Sequence, residues 1–223
     1  MKALPAEFYD RPVLEVARDL IGCAVEHRPV KGTPARGVIV ETEAYHESEP
    51  ACHAFAGLTP RTKTLFDRPG LAYVYRSYGV HALLNAVCEP EGVGAAVLIR
   101  ALLPTAGIEQ MRARRTLVRP GSVRRVPDGD EDLCSGPGKL TQALGIELNE
   151  NGTCLASGPV QIKPRSGRWR SPAVVVGTRV GINRAIELPW RFCAADCRHV
   201  SRPRPRAVAQ VSRARGRGTR KTR

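Results

Sequence analysis

The most constraining feature of this sequence is an apolar run that leads directly into two glutamates, GVIVETEAY from Gly37 to Tyr45. A run this rich in β-branched residues is typical of a central strand. Successive side chains on a strand point to opposite faces, so the run divides into two sets. The side chains predicted to enter the core are Val38, Val40, Thr42 and Ala44. Those predicted to share the other face are Ile39, Glu41, Glu43 and Tyr45.

Two carboxylates on one strand face have an ordinary explanation, which is a solvated surface. The apolar residues before them favour a buried strand end, where carboxylates can perform acid–base chemistry at pKa values set by their surroundings. His53 follows in ACHAFAG, a small-residue segment that can bend back toward this end. Taken alone it is a structural or surface histidine; beside Glu43 it could orient a water or a substrate.

The segment LAYVYRSYGVHALLN, from Leu71 to Asn85, predicts a β-hairpin. Its turn falls around Tyr78 and Gly79, where glycine supplies a permissive backbone. The residues predicted to face one way are Tyr73, Tyr75 and Ser77 on the first strand and His81, Leu83 and Asn85 on the second. Tyr78 then stands at the tip, either folded back on the surface or exposed as a wedge that can enter between base pairs.

Two further segments place basic residues at predicted element ends. AAVLIRALLP reads as a buried strand with Arg100 at its end, a costly position unless the arginine pairs with a carboxylate or binds an anion. SGPGKLTQ predicts a helix that begins near Pro137 and ends at Gly145. It lacks the spacing of a phosphate loop, which argues against nucleotide hydrolysis. Lys139 beside the helix N-terminus can hold one backbone phosphate.

The remaining patterns predict one mixed α+β domain. We expect a curved, largely antiparallel sheet of open-barrel-like form, flanked by helices. A first helix should have Asp10 as its N-cap, Pro12 in its first turn and apolar residues at helical spacing from Val13 to Ile21, and a short helix should run from Pro104 to Met111. Short apolar runs separated by turn signals over residues 153–192 predict strands that complete the sheet.

The charge of the chain is strongly basic and unevenly distributed. Lysine and arginine number 35 against 21 acidic residues, a net charge of +14, which favours a polyanionic partner such as nucleic acid or an anionic membrane. Nine of the basic residues lie in the acid-free end SRPRPRAVAQVSRARGRGTRKTR, and without them the rest carries +5. We therefore predict a folded domain over residues 1–200 and a disordered Arg-rich tail over 201–223 that tethers DNA in a salt-sensitive way.

The lack of a recognisable targeting signal and the scattered cysteines predict an intracellular, reduced protein. The sequence has no run approaching the ~20 apolar residues of a membrane span and no secretory signal. Its seven cysteines are odd in number and scattered, which does not predict a disulfide framework. The spacing of Cys193 and Cys197 is more typical of incidental thiols than of a zinc site. We expect no metal and no cofactor.

Eight motifs, in order along the chain, give this sequence a specific resemblance. VETEAY, AxH, TPR, YVYxxYG, LLN, VLIRALLP, SGPGKL and RVGI together resemble the alkyladenine (3-methyladenine) DNA glycosylase family, over roughly Phe8 to Arg202. That family excises alkylated and deaminated purines by hydrolysing the N-glycosidic bond, which leaves an abasic site. The resemblance implies a base excision repair enzyme that acts on double-stranded DNA.

The resemblance also implies roles for individual residues. Glu43 would be the general base that activates the attacking water, and Arg100 would keep it ionised. The groups that would hold the water are His53, Arg100 and the carbonyl of Val180. The side chains that would stack on the flipped purine are Tyr45, Tyr75 and His53. Asn85 would clash with the amino group of guanine, and Tyr78 would fill the gap in the minor groove. Apart from the resemblance, we expect Arg61 and Lys139 to contact the DNA backbone.

The sequence leaves alternatives to this function and does not identify the preferred lesion. No lysine lies in the pocket motifs, so we expect a monofunctional enzyme without a Schiff-base step, acting as a monomer. A metal-dependent nuclease that uses Glu41, Glu43 and His53 as ligands is an alternative enzyme class. A basic RNA- or DNA-binding protein without catalysis is a second alternative, although it leaves the buried carboxylates without a role. The sequence does not discriminate among 3-methyladenine, 7-methylguanine, hypoxanthine and ethenoadenine.

Overall fold

A computed structural model describes residues 1–30, 32–77, 79, 81–116, 127 and 129–205. Tyr78, at the tip of the predicted hairpin, and most of the predicted tail lie outside these residues. The strands of the described part are β1 (Ala24–His27), β2 (Ala35–His46), β3 (Ala72–Ser77), β4 (His81–Val87), β5 (Ala95–Ala106), β6 (Val160–Lys163), β7 (Val174–Gly177) and β8 (Arg191–Ala194). The α-helices are α1 (Ala6–Tyr9), α2 (Val13–Asp19), α3 (Ile108–Thr116), α4 (Asp130–Leu133) and α5 (Pro137–Leu144). Four 3-10 helices accompany them, at His53–Ala56, Lys63–Phe66, Leu148–Glu150 and Gly167–Trp169.

All eight strands join one antiparallel sheet that does not close into a barrel. The main path is β3-β4-β5-β2-β1-β6, and β8 pairs with both β2 and β7. Strand β2 is central, because β5 lies along one edge while β1 and then β8 share the other. The predicted mixed α+β class with an open antiparallel sheet is confirmed, and so is the predicted hairpin, in which Tyr73 pairs with Asn85.

The pairing of β2 with β5 changes register in the middle of both strands. Ile39 pairs with Leu102, and the next pair is Glu41 with Ala101, so Val40 on β2 has no partner in the register. The pair after that is Thr42 with Ile99, so Arg100 on β5 is skipped in turn. Skipped residues of this kind are bulges, which redirect side chains next to them. As a result Ile39 and Val40 both lie in the main core, and the predicted position of Ile39 on the face of the glutamates is wrong.

The sheet has a buried cluster on each face. Along β5, Ala95, Val97 and Ile99 enter the main core, whereas Ala96 enters a second, smaller cluster. Helices α2 and α5 pack against the strands of the main core. The members of the smaller cluster are Cys52, Ala54, Leu65, Leu71, Tyr73, Val87 and Ala96, with Tyr45 and Tyr75 packed against it. This second face, which carries the tyrosines, is the one on which a site can open.

Two of the predicted helix starts are wrong. Helix α2 follows Pro12, not Asp10, and its first N–H group, from Val13, donates to the Glu89 carboxylate at 2.9 Å. Strand β5 continues through Pro104 to Ala106, so the next helix begins only at Ile108. Helix α5 is confirmed, with Gly145 in the left-handed conformation as its C-cap.

The described helices are short. None of them is both long enough and apolar enough to span a membrane.

Gly94 allows the segment before β5 to approach the 3-10 helix that begins with His53. A Cβ atom on Gly94 would lie 2.4 Å from Ala54 Cβ and 2.9 Å from the Phe66 ring. We expect Gly94→Ala to lower the free energy of unfolding by about 1–3 kcal/mol, because overpacking forces the neighbours apart. Urea denaturation measures this, with exposed Glu91→Ala as the matched control; equal stability of the two variants would contradict the predicted clash.

Candidate active site

A cavity of about 650 Å³ opens over the second face of the sheet. Its wall includes most of the residues singled out in the sequence, namely Tyr45, His53, Arg61, Tyr75, Asn85, Arg100 and Val180. These residues come from β2, β3, β4, β5, two loops and the 3-10 helix at His53. The antiparallel sheet therefore brings together segments that are up to 135 residues apart along the chain.

Glu43 is fully buried and held by three donors next to this wall. The Tyr45 hydroxyl donates to its Oε2 at 2.9 Å, and Arg100 Nη1 donates to the same oxygen at 3.1 Å. The backbone N–H of Val180 donates to Oε1 at 2.7 Å. Both carboxylate oxygens are thus fixed, so the group has one orientation beside the cavity.

Burial raises the pKa of the Glu43 carboxyl above its usual range. The Arg100 charge is the largest influence that opposes this rise, followed by the N–H of Val180 and the Tyr45 hydroxyl. Arg100 therefore favours ionised Glu43, as expected, but burial outweighs it. A carboxylate with a raised pKa is a stronger base than an exposed glutamate, which suits a group that takes a proton from water.

Arg100 connects Glu43 to a second buried glutamate. Arg100 Nε donates to Glu41 Oε1 at 2.9 Å, and Arg100 Nη1 also donates to the Val180 carbonyl at 3.4 Å. Glu41 in turn accepts from Arg191 Nε at 2.8 Å and from the Ser201 N–H at 2.7 Å and hydroxyl at 2.9 Å. Glu41 is therefore a hub that orients Arg100 and ties the segment at Ser201 to the sheet. The same segment makes further contacts with the sheet: Arg191 Nη1 donates to the Pro203 carbonyl at 3.0 Å, and a Cβ atom on Gly177 would lie 2.9 Å from Pro205 Cβ.

One wall of the cavity is made of His53, Tyr73 and Tyr75. Tyr73 and Tyr75 stack with their ring centres 5.3 Å apart, and the His53 ring meets Tyr75 edge-on at 4.6 Å. His53 Nδ1 is hydrogen-bonded to the Tyr73 hydroxyl at 3.2 Å. Burial, assisted by the charge of Arg61, lowers the pKa of His53, which favours the neutral imidazole. Tyr73, in the same YVY motif as Tyr75, supports this wall.

Asn85 is buried in the cavity wall opposite Tyr73 on the hairpin. Its Nδ2 donates to the Tyr73 carbonyl at 3.0 Å, which fixes the orientation of the amide. The side chain can therefore act as a rigid boundary for whatever fills the cavity.

The two predicted DNA-backbone residues differ in their positions. Arg61 lies in the cavity wall, with its guanidinium 5.9 Å from the centre of the Tyr75 ring. Lys139 is outside the wall and donates to the Asp132 carboxylate and to Ser135 Oγ. A phosphate would therefore have to compete with Asp132 for Lys139.

The main element that sequence reasoning missed is a buried ion pair behind Tyr45. Arg179 donates to Glu49 through both terminal nitrogens, and its guanidinium carbon is 4.6 Å from the centre of the Tyr45 ring. The one available signal was the position of Arg179 directly before Val180 in the RVGI motif. Nothing local indicated Glu49, which is 130 residues away along the chain.

The geometry does not favour the metal-site alternatives. Glu41 and Glu43 are both ion-paired with Arg100, whose charge repels a cation from the same place. Cys193 lies in the main core on β8, and Cys197 is only half-buried. Within the described ranges no three His, Cys, Asp or Glu side chains are grouped so that they could hold a metal ion.

Glu41→Gln should destabilise the fold strongly, because Arg100 and Arg191 would lose the charge that compensates them in the interior. We expect a loss of about 3–5 kcal/mol in the free energy of unfolding, measured by urea denaturation. Asp130→Asn is the matched control, since it removes the partner of Arg112 at an exposed site and should cost less than about 1 kcal/mol. A similar small loss in both variants would show that Glu41 is not a hub.

Comparison with known proteins gives a consistent result. The family model described as methylpurine-DNA glycosylase matches residues 7–198. A protein of Rhodopseudomonas palustris is 49% identical over 199 residues, which cover 89% of this chain and 88% of that protein. A protein of Bradyrhizobium diazoefficiens is 47% identical over 92% of this chain and 94% of its own length. A protein of Methanoculleus marisnigri is also 47% identical, over 89% of this chain and 98% of its own length. All three bear the name 3-methyladenine DNA glycosylase as a provisional assignment. This chain belongs to the methylpurine-DNA glycosylase family.

Proposed function

We propose that this protein is a DNA repair glycosylase that removes alkylated or deaminated purines from duplex DNA by hydrolysing the N-glycosidic bond. The observation that carries the proposal is the buried, triply hydrogen-bonded Glu43 carboxylate beside an aromatic cavity. The product would be an abasic site, which is the starting point of base excision repair.

The cavity suits a purine that has left the duplex. Extruding a base costs a few kcal/mol, and least for a damaged or mismatched one. Stacking on an aromatic side chain returns about 1–3 kcal/mol per contact, and the rings proposed to stack on the base are Tyr45, Tyr75 and His53, all in the cavity wall. Positively charged alkylpurines gain additional cation–π attraction on the tyrosine faces. Damaged purines would thus be selected partly by the ease of extrusion and partly by stacking.

Glu43 is the proposed general base. It would take a proton from a water molecule held by His53, Arg100 and the carbonyl of Val180 as that water attacks the sugar. The transition state resembles an oxocarbenium ion, so a carboxylate beside the sugar also stabilises its positive charge. Neutral His53 can accept or donate a hydrogen bond to this water, and Arg100 can donate one.

Two further residues are proposed to control which base enters. Asn85 would exclude guanine, because its fixed amide stands where the exocyclic amino group would lie. Tyr78, which is outside the described residues, would insert into the minor groove and fill the space of the extruded nucleotide. Arg61 and Lys139 would contact the DNA backbone, Arg61 directly at the mouth of the cavity.

We further propose a monofunctional enzyme that acts as a monomer on intracellular DNA. In support, the part of the cavity wall formed by described residues includes no lysine that could form a Schiff base. The glycosylase domain would comprise residues 1–200 together with the packed segment up to Pro205, and the Arg-rich remainder would bind DNA without sequence preference.

Glu43→Gln should abolish base release without abolishing binding. We expect release from duplexes that each carry one defined lesion to fall by about 10²–10⁴-fold, because the amide cannot take a proton from water. Gel-shift titration with the same duplexes should show damaged-DNA affinity close to that of the unmodified protein. Substantial residual release would contradict the role of Glu43, and the lesion panel would also define the substrates of the unmodified enzyme.

The pH profile of base release should reflect the raised pKa of Glu43. The base must be ionised, so activity is lost as the pH falls through this pKa, and the loss should begin above the ~4.3 of an exposed glutamate. Arg100 opposes the rise, so Arg100→Gln should move the acid limb to higher pH. Single-turnover rates measured from acid to neutral pH test this; an unchanged acid limb in Arg100→Gln would argue against their coupling.

A further inference from the structure

A buried arginine lies behind Tyr45, one of the rings proposed to stack on the extruded purine. The Arg179 guanidinium carbon is 4.6 Å from the centre of the Tyr45 ring and 5.3 Å from that of Trp190. Tyr45 forms part of the cavity wall, whereas the Arg179 side chain is 0% exposed and does not reach it. The guanidinium therefore contacts the tyrosine from the side away from the cavity.

Glu49 compensates the charge of Arg179. Arg179 Nη1 donates to Glu49 Oε1 at 2.6 Å, and Nη2 donates to Oε2 at 2.9 Å. The Glu49 side chain is itself only 5% exposed, so water screens neither charge. In this bidentate geometry the carboxylate cancels most of the field that the guanidinium would otherwise project through the tyrosine ring.

Anchoring the chain does not by itself require a pair of charges here. Arg179 also donates to the carbonyls of Ala44 at 3.0 Å and Ala185 at 3.4 Å, which ties β2 to the loop beyond Val180. Replacing a buried ion pair by apolar residues of similar volume is often neutral for stability or even favourable. Stability therefore does not by itself account for the charges of Arg179 and Glu49, and the Arg179 charge lies against the Tyr45 ring.

A positively charged alkylpurine stacked on Tyr45 would be sensitive to charge behind the ring, whereas a neutral purine would not. We propose that the Arg179–Glu49 pair sets the balance between cationic and neutral lesions: the compensated pair lets the site accept both, and an unbalanced charge on either residue shifts the preference. This inference rests on the proposed glycosylase function and identifies Arg179 and Glu49 as specificity-determining residues that act through Tyr45.

The test compares two lesions of opposite character that both lack the 2-amino group of guanine: 3-methyladenine, which is cationic in DNA, and hypoxanthine, which is neutral. Single-turnover rates of base release give a ratio of cationic to neutral cleavage for each variant. Glu49→Gln should lower this ratio about tenfold, because a bare guanidinium repels the cation at a separation where a buried charge is weakly screened. Arg179→Met should raise it, because the uncompensated carboxylate attracts the cation. The double variant should return close to the ratio of the unmodified enzyme.

Opposite shifts in the two single variants distinguish this mechanism from a structural one. A ratio that is unchanged, or that moves in the same direction in both variants, would overturn the inference. If Glu49→Gln does not fold, Arg179→Met alone decides the question. A cationic-to-neutral ratio in Arg179→Met that is no higher than that of the unmodified enzyme would then overturn the inference. Glu150→Gln is the matched control, since it removes a buried carboxylate outside the cavity wall and should leave the ratio unchanged. Absence of release by the unmodified enzyme from both lesions would instead refute the proposed function.

Discussion

The bridge that Arg100 makes between two buried glutamates is the interaction on which the rest of the site depends. One guanidinium reaches Glu41, Glu43 and the carbonyl of Val180, so it joins the central strand to a loop that enters from far along the chain. Buried charges are tolerated only when they are paired, so none of these partners can move away without a large loss of free energy. The same bridge stabilises the fold and fixes the proposed base.

The sheet separates stability from function by using its two faces differently. Helices α2 and α5 cover the face that holds the main core, and the cavity opens on the other, where the aromatic cluster lies. The register change at Val40 and Arg100 accompanies this division: Ile39 and Val40 both lie in the main core, whereas Glu43 is bonded to residues of the cavity wall. A regular strand pair would have divided these side chains differently.

Much of the fold and of the candidate site is predictable from sequence, because the signals are local. Period-two alternation predicts the hairpin and the shared face of Tyr73 and Tyr75, and the apolar lead-in predicts the burial of Glu43. What could not be predicted depends on distant partners or on pairing. The N-terminus of α2 is capped by Glu89, 76 residues further on, instead of by the nearby Asp10. The bulges depend on how two strands align, which alternation within one strand does not encode.

The contact between Ser201 and Glu41 joins residues 160 positions apart and has a consequence for the order of synthesis. Ser201 is among the last described residues to leave the ribosome, and the carboxylate it contacts is among the early ones. A growing chain can form the central strands first, but the network around Arg100 stays incomplete until the segment at Ser201 arrives. Chains that end before Ser201 would therefore lack part of the framework of the base, whereas chains that end just beyond Pro205 would retain all of it.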